Sequence, residues 1–349
     1  MYLTKCSDYR PHELADTSAM SRGEWLACRR QGIGGSDAAA VLGISPFRTA
    51  RDLYFDKLGF PIEAGEENWV ALEMGRLLEP LAADVFAKKT GLNIYQKKVM
   101  FQHPQYPWML ADLDYLVKLP DGGTAILECK TSTSGAGDHW IYNGRDVVPA
   151  YYESQGRHYM AVMNISRVYF CCLFTDTREA IIRVIERDMA YEDELIALEQ
   201  AFWQENVLRK APPPYTEDGD LVLKSLQRLY GPSDKDAPPA AITPAQFAKV
   251  KRYLQLQEAK AAHDAAGKDL ETEMKRLKAA IVADMGKSCT AVYDDKESSY
   301  TITFNPVYRR TISKEGLERL KVMHPDIYAE YVTTSESRRF NIKKAASAA

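Results

Sequence analysis

The sequence lacks the features that mark exported, membrane-spanning or zinc-binding proteins. No apolar run reaches the roughly 18 residues that a membrane span needs. The stretch Met1–Met20 is polar and has no apolar core of a signal peptide. The six cysteines never form a C-x-x-C pair, which argues against a zinc ribbon. We therefore expect a cytoplasmic protein with reduced thiols and no membrane partner.

A large excess of either charge is also missing. The net charge is only −3 over 349 residues, so the chain is not a bulk polycation. If it binds nucleic acid, its positive charge must be concentrated in a groove. An apolar fraction of 46% with five tryptophans predicts a folded protein. The length allows a domain of ordinary size and a second unit.

Three regions follow each other along the chain. Helical and strand patterns alternate over residues 1–211, which predicts a mixed α/β domain with an antiparallel core hairpin and an early helix from Asp8 to Arg30. The proline-rich stretch 212–243 is interpreted as a linker with a short helix. Residues 244–349 begin with a long helix and continue with two β-runs. That helix carries apolar residues at the 4-3-4 spacing of a coiled-coil seam, at Leu270, Met274, Leu277 and Ile281.

The most informative chemistry lies in the predicted hairpin. Asp114 precedes a Pro-Asp-Gly-Gly turn, and Glu128 and Lys130 follow it. If the turn holds the three residues 120–122, Asp114 lies directly opposite Glu128, whereas a two-residue turn would offset them by one. Glu128 and Lys130 share a strand face, and Cys129 points to the opposite, core side. A surface hairpin with alternating charges is the alternative.

Such a set of groups suits phosphodiester hydrolysis. Hard oxygen ligands at this spacing favour Mg²⁺ or Mn²⁺, which keep several waters and bind phosphate oxygens. The neighbouring Lys130 is placed to orient an attacking water or to stabilise developing negative charge.

Polar residues on two predicted helices could complete this site. Glu79 directly precedes Pro80, so a helix start or kink there could aim its carboxylate inward. Gln155 and Tyr159 are one helical turn apart and therefore face the same way. The alternatives are a helix-dipole partner for Glu79 and ordinary polar surface for Gln155 and Tyr159.

A glycine-rich turn forms a second candidate site. Arg29 and Arg30 precede a Gly-Ile-Gly-Gly segment that runs through Ser36 and Asp37 into an apolar helix. Exposed N–H groups, a hydroxyl and two arginines can bind an anion such as phosphate. The pattern is not that of a nucleoside-triphosphate loop. A tight turn with Ser36 or Asp37 as the helix N-cap is the alternative, and it is compatible with phosphate binding.

In these stretches the chain resembles the YqaJ-like viral recombinases, the relatives of phage lambda exonuclease among the PD-(D/E)xK nucleases. The matching stretches, in this order, are residues 25–45, 75–91, 110–132 and 155–159. The resemblance implies an α/β restriction-endonuclease-like core, in which helices flank a mixed central sheet. Residues 244–349, a helical and β extension, lie outside it.

The resemblance also implies roles for individual residues. Asp114 and Glu128 would bind the metal with the Cys129 carbonyl, Lys130 would be the catalytic lysine, and Glu79 would lie near the metal. Gln155 and Tyr159 would form the Q-x-x-x-Y helix, and Arg29, Arg30 and Ser36 would contact a 5′-phosphate. Asp112 competes with Asp114 as the ligand, and Tyr115 stands where the family usually has glycine.

The implied function is a Mg²⁺-dependent exonuclease that digests one strand of linear duplex DNA, 5′ to 3′, for annealing recombination. Its expected partners are double-stranded DNA ends, a single-strand annealing protein, and further copies in a ring around the duplex. A phage or prophage origin and a bacterial host cytosol follow. Basic residues that could line such a channel are Arg29, Arg30, Arg48, Arg51, Lys97, Lys98, Arg145 and Arg157. The alternatives are a restriction- or repair-type endonuclease and a non-catalytic DNA-end-binding protein.

Overall fold

The computed structural model describes residues 9–60, 69–133, 135, 139–231, 237–294, 299–306 and 312–332. The chain divides into two compact units, Met1–Ala237 and Pro238–Ala349. The strands of the first unit are β1 (His12–Asp16), β2 (Ile33–Gly34), β3 (Asn93–Tyr95), β4 (Val99–Gln102), β5 (Met109–Ala111), β6 (Tyr115–Lys118), β7 (Thr124–Ser132), β8 (Ile141–Tyr142), β9 (Arg145–Asp146), β10 (Arg167–Phe174) and β11 (Ala180–Glu186). Its helices are α1 (Arg22–Arg29), α2 (Gly35–Val41), α3 (Ala50–Lys57), α4 (Trp69–Thr90), α5 (Ala150–Met163), α6 (Met189–Ala201, continued by the π-helical segment Phe202–Leu208) and α7 (Gly219–Tyr230).

A mixed five-stranded sheet carries the predicted hairpin. Its strand order is β11-β10-β7-β6-β3, with β10 parallel to β7 and the other neighbours antiparallel. Tyr115 pairs with Leu127, and Leu119 exchanges backbone hydrogen bonds with Gly122 and Gly123. The turn therefore holds three residues, as the register prediction required. Continued by one position, this register sets Asp114 opposite Glu128.

The two faces of this sheet pack against different helices. On one face, Leu127 and Cys171 lie in a cluster with Phe86 of α4. On the other, Ile126 and Phe170 pack in the main core with residues of α5. Because side chains alternate along a strand, Glu128 and Lys130 point to the α5 side and Cys129 to the α4 side, as predicted. The expected mixed sheet flanked by helices is confirmed.

A second, four-stranded sheet has the order β1-β4-β5-β2. Strand β5 ends at Ala111 and β6 begins at Tyr115. Asp112 and Asp114 therefore lie in the short connection that passes from one sheet to the other. This connection places the two aspartates at the junction of the sheets.

The predicted helix from Asp8 to Arg30 is wrong in its first half. Residues His12–Asp16 form β1, which pairs antiparallel with β4, and the helix begins only at Arg22. Ser21 caps it by accepting a hydrogen bond from the Glu24 N–H, while the Glu24 carboxylate accepts from Ser21 N at 2.8 Å. This reciprocal capping box fixes the helix start, and its Ser-x-x-Glu spacing is visible in the sequence.

The proline-rich stretch contributes to the first unit. Helix α7 packs on α3, where the Ser225 hydroxyl donates to Asp52 Oδ1 at 2.6 Å. Glu217 Oε1 accepts from Ala50 N at 2.6 Å at the start of α3. The predicted boundaries at 211 and 243 stay predictions, but these contacts tie residues 217 and 225 to the first unit.

The second unit contains α8 (Pro244–Met285), the antiparallel strands β12 (Thr290–Asp294) and β13 (Ser299–Thr303), and the helices α9 (Lys314–Met323) and α10 (Pro325–Tyr331). The predicted long helix and β-runs are confirmed. The four predicted seam residues of α8 are exposed. In the described part of the chain, no helix is both long and apolar enough to cross a membrane.

Candidate active site

Glu128 is the central residue of the candidate site. Its side chain is only 4% exposed. Its Oε1 accepts from Lys130 Nζ at 2.7 Å and from Gln155 Nε2 at 2.5 Å. Its Oε2 is buried and has no hydrogen-bond partner among the described residues. A buried carboxylate oxygen without a partner is energetically costly, and such atoms mark places where a water or ion belongs.

Lys130 is held as a cation. Its Nζ donates to Glu128 and also to Gln155 Oε1 at 3.0 Å. Burial alone would lower the pKa of Lys130, but the carboxylates of Glu128 and Asp114 outweigh it and raise that pKa. Lys130 therefore donates hydrogen bonds to both Glu128 and Gln155.

The geometry distinguishes Asp114 from Asp112. Asp114 Oδ2 accepts from the backbone N–H of Cys129 at 2.8 Å, which ties it to β7 beside Glu128. Asp112 Oδ2 instead accepts from Trp25 Nε1 at 2.6 Å. Burial and the negative charge of Glu128 raise the pKa of Asp114 well above its usual value. Which aspartate would bind a metal stays a prediction, but the Asp114 carboxylate is close enough to Glu128 for the two negative charges to repel each other.

Glu79 lies in the interior of α4 with Pro80 directly after it, and not at a helix start. Burial and the charge of Glu128 raise the pKa of the Glu79 carboxyl. Glu79 therefore faces the same acidic centre as Asp114. This position agrees with the inward aim that the sequence suggested from Pro80, whereas a role near a metal was implied by the family resemblance and stays a prediction.

Gln155 and Tyr159 lie on one face of α5, as their spacing predicted. The Gln155 amide bridges Lys130 and Glu128, and its Nε2 lies 3.4 Å from the Tyr159 hydroxyl. Burial raises the pKa of Tyr159 well above its usual value, so the phenol remains neutral. These two residues orient the acidic centre from the α5 side.

The glycine turn packs against the same helix. A Cβ on Gly35 would lie 2.5 Å from Tyr159 Cε1, so only glycine allows α2 to approach α5 this closely. Arg29 donates to the Ser36 hydroxyl and, at 2.6 Å, to Asp37 Oδ1. The N-cap of α2 is Gly34, so the predicted N-cap at Ser36 or Asp37 is wrong. Asp37 lies at the third helical position, and its Oδ2 accepts from Gly34 N at 3.0 Å.

Asp37 has a second role that the sequence did not predict. Its buried carboxylate pairs with Arg29, Arg48 and Lys57, and the Lys57 side chain is 0% exposed. Burial opposes its charge, but the three cations together hold the pKa of Asp37 well below its usual range. Asp56 lies 3.8 Å from Arg48 and 3.2 Å from Arg30, so two anions face four cations and the cluster keeps an excess of positive charge. The sequence signal for this role is Asp37 itself, a single acidic residue directly before the alanine run of α2.

These elements enclose a cavity of about 530 Å³. The predicted site residues on its wall are Arg29, Ser36, Glu79, Asp112, Asp114, Glu128, Gln155 and Tyr159. Further basic residues on the wall are Arg22, Arg76 and Lys98, of which only Lys98 was predicted. Within the described residues, Lys130 reaches Glu128 from beside the cavity without lining it.

Several predicted phosphate-binding residues are engaged elsewhere. Arg30 does not line the cavity and pairs with Asp56 at 3.2 Å. Arg157 pairs with Glu153 at 2.5 Å, and the Arg51 guanidinium lies over the Tyr215 ring at 4.6 Å. Lys97 pairs with Glu13. These residues would have to break their present ion pairs or ring contacts before they could bind DNA as proposed.

The donor set fits a hard divalent cation, although no cluster of three or more His, Cys, Asp or Glu side chains in the described segments is arranged to hold a metal. Mg²⁺ is usually bound through one or two carboxylates, waters and phosphate oxygens, so it does not need such a cluster. Asp114 and Glu128, with its unpartnered Oε2, supply two carboxylates. The Cys129 carbonyl and Glu79 are the other predicted oxygen ligands.

Comparison with known proteins shows the family of this chain. The model of the YqaJ-like viral recombinase domain matches residues 24–166. The chain is 30% identical over 339 residues to the uncharacterized protein YqaJ of Bacillus subtilis (strain 168), which covers 96% of this chain and 98% of that protein.

Solved exonuclease structures show a weaker similarity. The alkaline exonuclease LHK-Exo from Laribacter hongkongensis is 21% identical with a TM-score of 0.44, over 59% of this chain and 99% of that one. A phage-related exonuclease from Haemophilus somnus 129PT is 13% identical with a TM-score of 0.35, over 50% and 94% of the two chains. The family assignment therefore rests on YqaJ itself. Its similarity over nearly the whole of both chains shows that this protein belongs to the YqaJ-like viral recombinase family.

Proposed function

We propose that this protein is a Mg²⁺-dependent DNA exonuclease that digests one strand of linear duplex DNA and exposes single strand for annealing recombination. The observation that carries this proposal is the Glu128 carboxylate. Lys130 and Gln155 fix one of its oxygens, and the other is buried beside Asp114 and has no partner in the part of the chain that the structure describes. Membership of the viral recombinase family supports the recombination role.

In this proposal Asp114, Glu128 and the Cys129 carbonyl hold the metal, with Glu79 as an acidic neighbour. A bound Mg²⁺ or Mn²⁺ would polarise the scissile phosphate and lower the pKa of a coordinated water. Lys130, held by Glu128 and Gln155, supplies a positive donor to the developing negative charge. Gln155 keeps Lys130 and Glu128 at fixed relative positions. Hydrolysis adds water across one phosphorus–oxygen bond of the strand.

The glycine-turn end of the cavity is proposed to bind the terminal phosphate. Arg29 and Ser36 line the same cavity as Glu128. Of the three cations around Asp37, Arg29 lies on the cavity wall, where its charge can meet a DNA phosphate. The 5′-to-3′ direction, the ring of several copies and the annealing partner extend this proposal from the family resemblance.

One set of substrates tests the proposal. The purified protein is given linear duplex labelled separately at each 5′ and 3′ end, and a covalently closed circle, with Mg²⁺ or with a chelator. We expect Mg²⁺-dependent loss of the 5′ label first and no cutting of the circle. Glu128→Gln should abolish digestion, whereas Glu186→Gln should not, because Glu186 is an exposed glutamate on edge strand β11.

The alternative functions are separate outcomes of the same experiment. Cutting of the closed circle identifies an endonuclease. Binding of DNA ends without digestion, unchanged by Glu128→Gln, identifies a non-catalytic end-binding protein. Loss of the 3′ label first reverses the proposed direction but keeps the nuclease assignment.

A further inference from the structure

We propose that Tyr152 is a positioning residue that holds the Lys130 ammonium in the active site through the face of its aromatic ring. Lys130 Nζ lies 4.7 Å from the centroid of the Tyr152 ring. An ammonium group has three N–H donors. Two of them are used by Glu128 and Gln155, so the ring occupies the remaining side of the cation. The inference rests on the proposed function, in which Lys130 is the catalytic cation.

The position of Tyr152 follows from the helix geometry. Tyr152 and Gln155 are three residues apart on α5, so their side chains are neighbours on one helix face. Lys130 reaches that face from β7, whose side chains alternate. One helix turn therefore supplies both an amide oxygen and an aromatic face to the same ammonium.

Aromatic neighbours fix the Tyr152 ring. Trp140 is buried and packs against Tyr152 in a tilted arrangement, with ring centroids 5.8 Å apart and an angle of 33° between the ring planes. The Tyr151 ring lies 4.4 Å from that of Tyr152. Because these contacts restrict the ring, little side-chain entropy is lost when it contacts Lys130. The ring can therefore act as a fixed wall and not as a mobile cover.

The ring face has a chemical consequence for Lys130. Three acidic groups, Asp114, Glu128 and Glu79, lie near its ammonium. The negative π-face attracts the cation without accepting a proton from it. An aliphatic residue at position 152 would remove this attraction and let Lys130 rotate toward another carboxylate. Such a change should slow turnover more than it weakens DNA binding.

The test compares variants that keep or remove the ring face. Tyr152→Phe keeps the face, and Tyr152→Leu removes it. A further series replaces residue 152 by phenylalanines with increasing numbers of ring fluorines, which weaken the π-face at nearly constant shape. Tyr191→Leu is the matched control, since it removes a ring under Arg157 at a similar distance of 4.5 Å outside the site.

We expect Tyr152→Phe to keep most of the kcat on linear duplex, and Tyr152→Leu to lower kcat about tenfold with KM changed less than about twofold. The fluorinated series should lower kcat step by step. The control should lower Tm but leave kcat unchanged. Equal kcat for the Phe and Leu variants, or no response to fluorination, would overturn the positioning role.

A second measurement does not depend on nuclease activity. In the wild-type background, Tyr152→Leu should lower Tm by more than it does in a Lys130→Met background, because the cation is then absent. Equal Tm shifts in the two backgrounds would overturn the contact between Tyr152 and Lys130. A wild-type protein that cuts no DNA would overturn the proposed function, and these Tm shifts would still decide the contact.

Discussion

The ion cluster around Asp37 gives the sharpest stability prediction. Asp37 Oδ1 accepts from Arg29 and Arg48, and Oδ2 lies 2.6 Å from Lys57 Nζ. The change Asp37→Asn keeps the shape of the side chain but removes its charge. An amide NH₂ group in place of Oδ2 would face the Lys57 ammonium and the Gly34 N–H, which are both donors.

The expected cost can be worked out from burial. The Lys57 side chain is 0% exposed, and its Nζ also donates to the Arg29 carbonyl at 3.2 Å. Removing one partner of a buried ion pair typically costs about 3–5 kcal/mol. We therefore expect Asp37→Asn to lower the free energy of unfolding by about 4 kcal/mol. For a unit of this size, that corresponds to a fall in Tm of roughly 10 °C.

The pH dependence supplies an internal check. Burial and the neighbouring arginines already lower the pKa of Lys57, although Asp37 opposes them. In Asp37→Asn this pKa should fall further, so Lys57 can release its proton in the folded protein. A lowered folded pKa of a lysine favours the folded state as the pH rises past it. The stability lost in the variant should therefore be smaller at about pH 9 than at pH 7.

Chemical denaturation of the wild-type and variant proteins at both pH values measures this. Adding Lys57→Met to Asp37→Asn should recover part of the loss, because the unpaired ammonium is removed. A loss below about 1 kcal/mol at pH 7, or no recovery in the double variant, would show that the cluster is not the buried ion network described here.

Three further predictions concern the active-site helices and the metal. Gly35→Ala should destabilise the protein by about 1–3 kcal/mol, since its Cβ would collide with Tyr159. Gly23→Ala is the control, because a Cβ there would have nothing within 4 Å. Equal urea midpoints for the two variants would contradict the collision. Both ring nitrogens of His158 face acceptors, Glu199 and the Leu110 carbonyl, and Glu199 raises the pKa of His158 although burial opposes it. The charge of His158 thus stabilises the fold fully below the unfolded pKa near 6.5, and this stabilisation is lost as the pH rises through the folded pKa. The difference in unfolding free energy between wild type and His158→Gln should therefore shrink from about pH 6 to pH 9. A constant difference would refute the charged role of His158. Mg²⁺ at about ten times its Kd should add about 1.4 kcal/mol of stability to the wild type and to Glu186→Gln; an equal rise in Tm for Glu128→Gln would remove Glu128 from the metal site.

The hairpin chemistry could be predicted from the sequence because strand geometry is local. A three-residue turn and the alternation of side chains suffice to set Asp114 opposite Glu128 and to put Lys130 on the same face. The one-turn spacing of Gln155 and Tyr159 likewise determined that they act from one helix face. The start of α1 is equally local, because the Ser-x-x-Glu capping box at Ser21 marks it in the sequence.

Contacts between distant segments were decided only by the tertiary structure. Trp25 donates a hydrogen bond to Asp112, and this contact distinguishes Asp112 from Asp114. No local sequence pattern predicts it, because 87 residues separate Trp25 from Asp112. The same holds for Asp37, whose carboxylate is buried among Arg29, Arg48 and Lys57. Periodicity in the sequence determines which face a side chain takes, whereas packing of separate elements determines which charges meet and which remain free for a substrate.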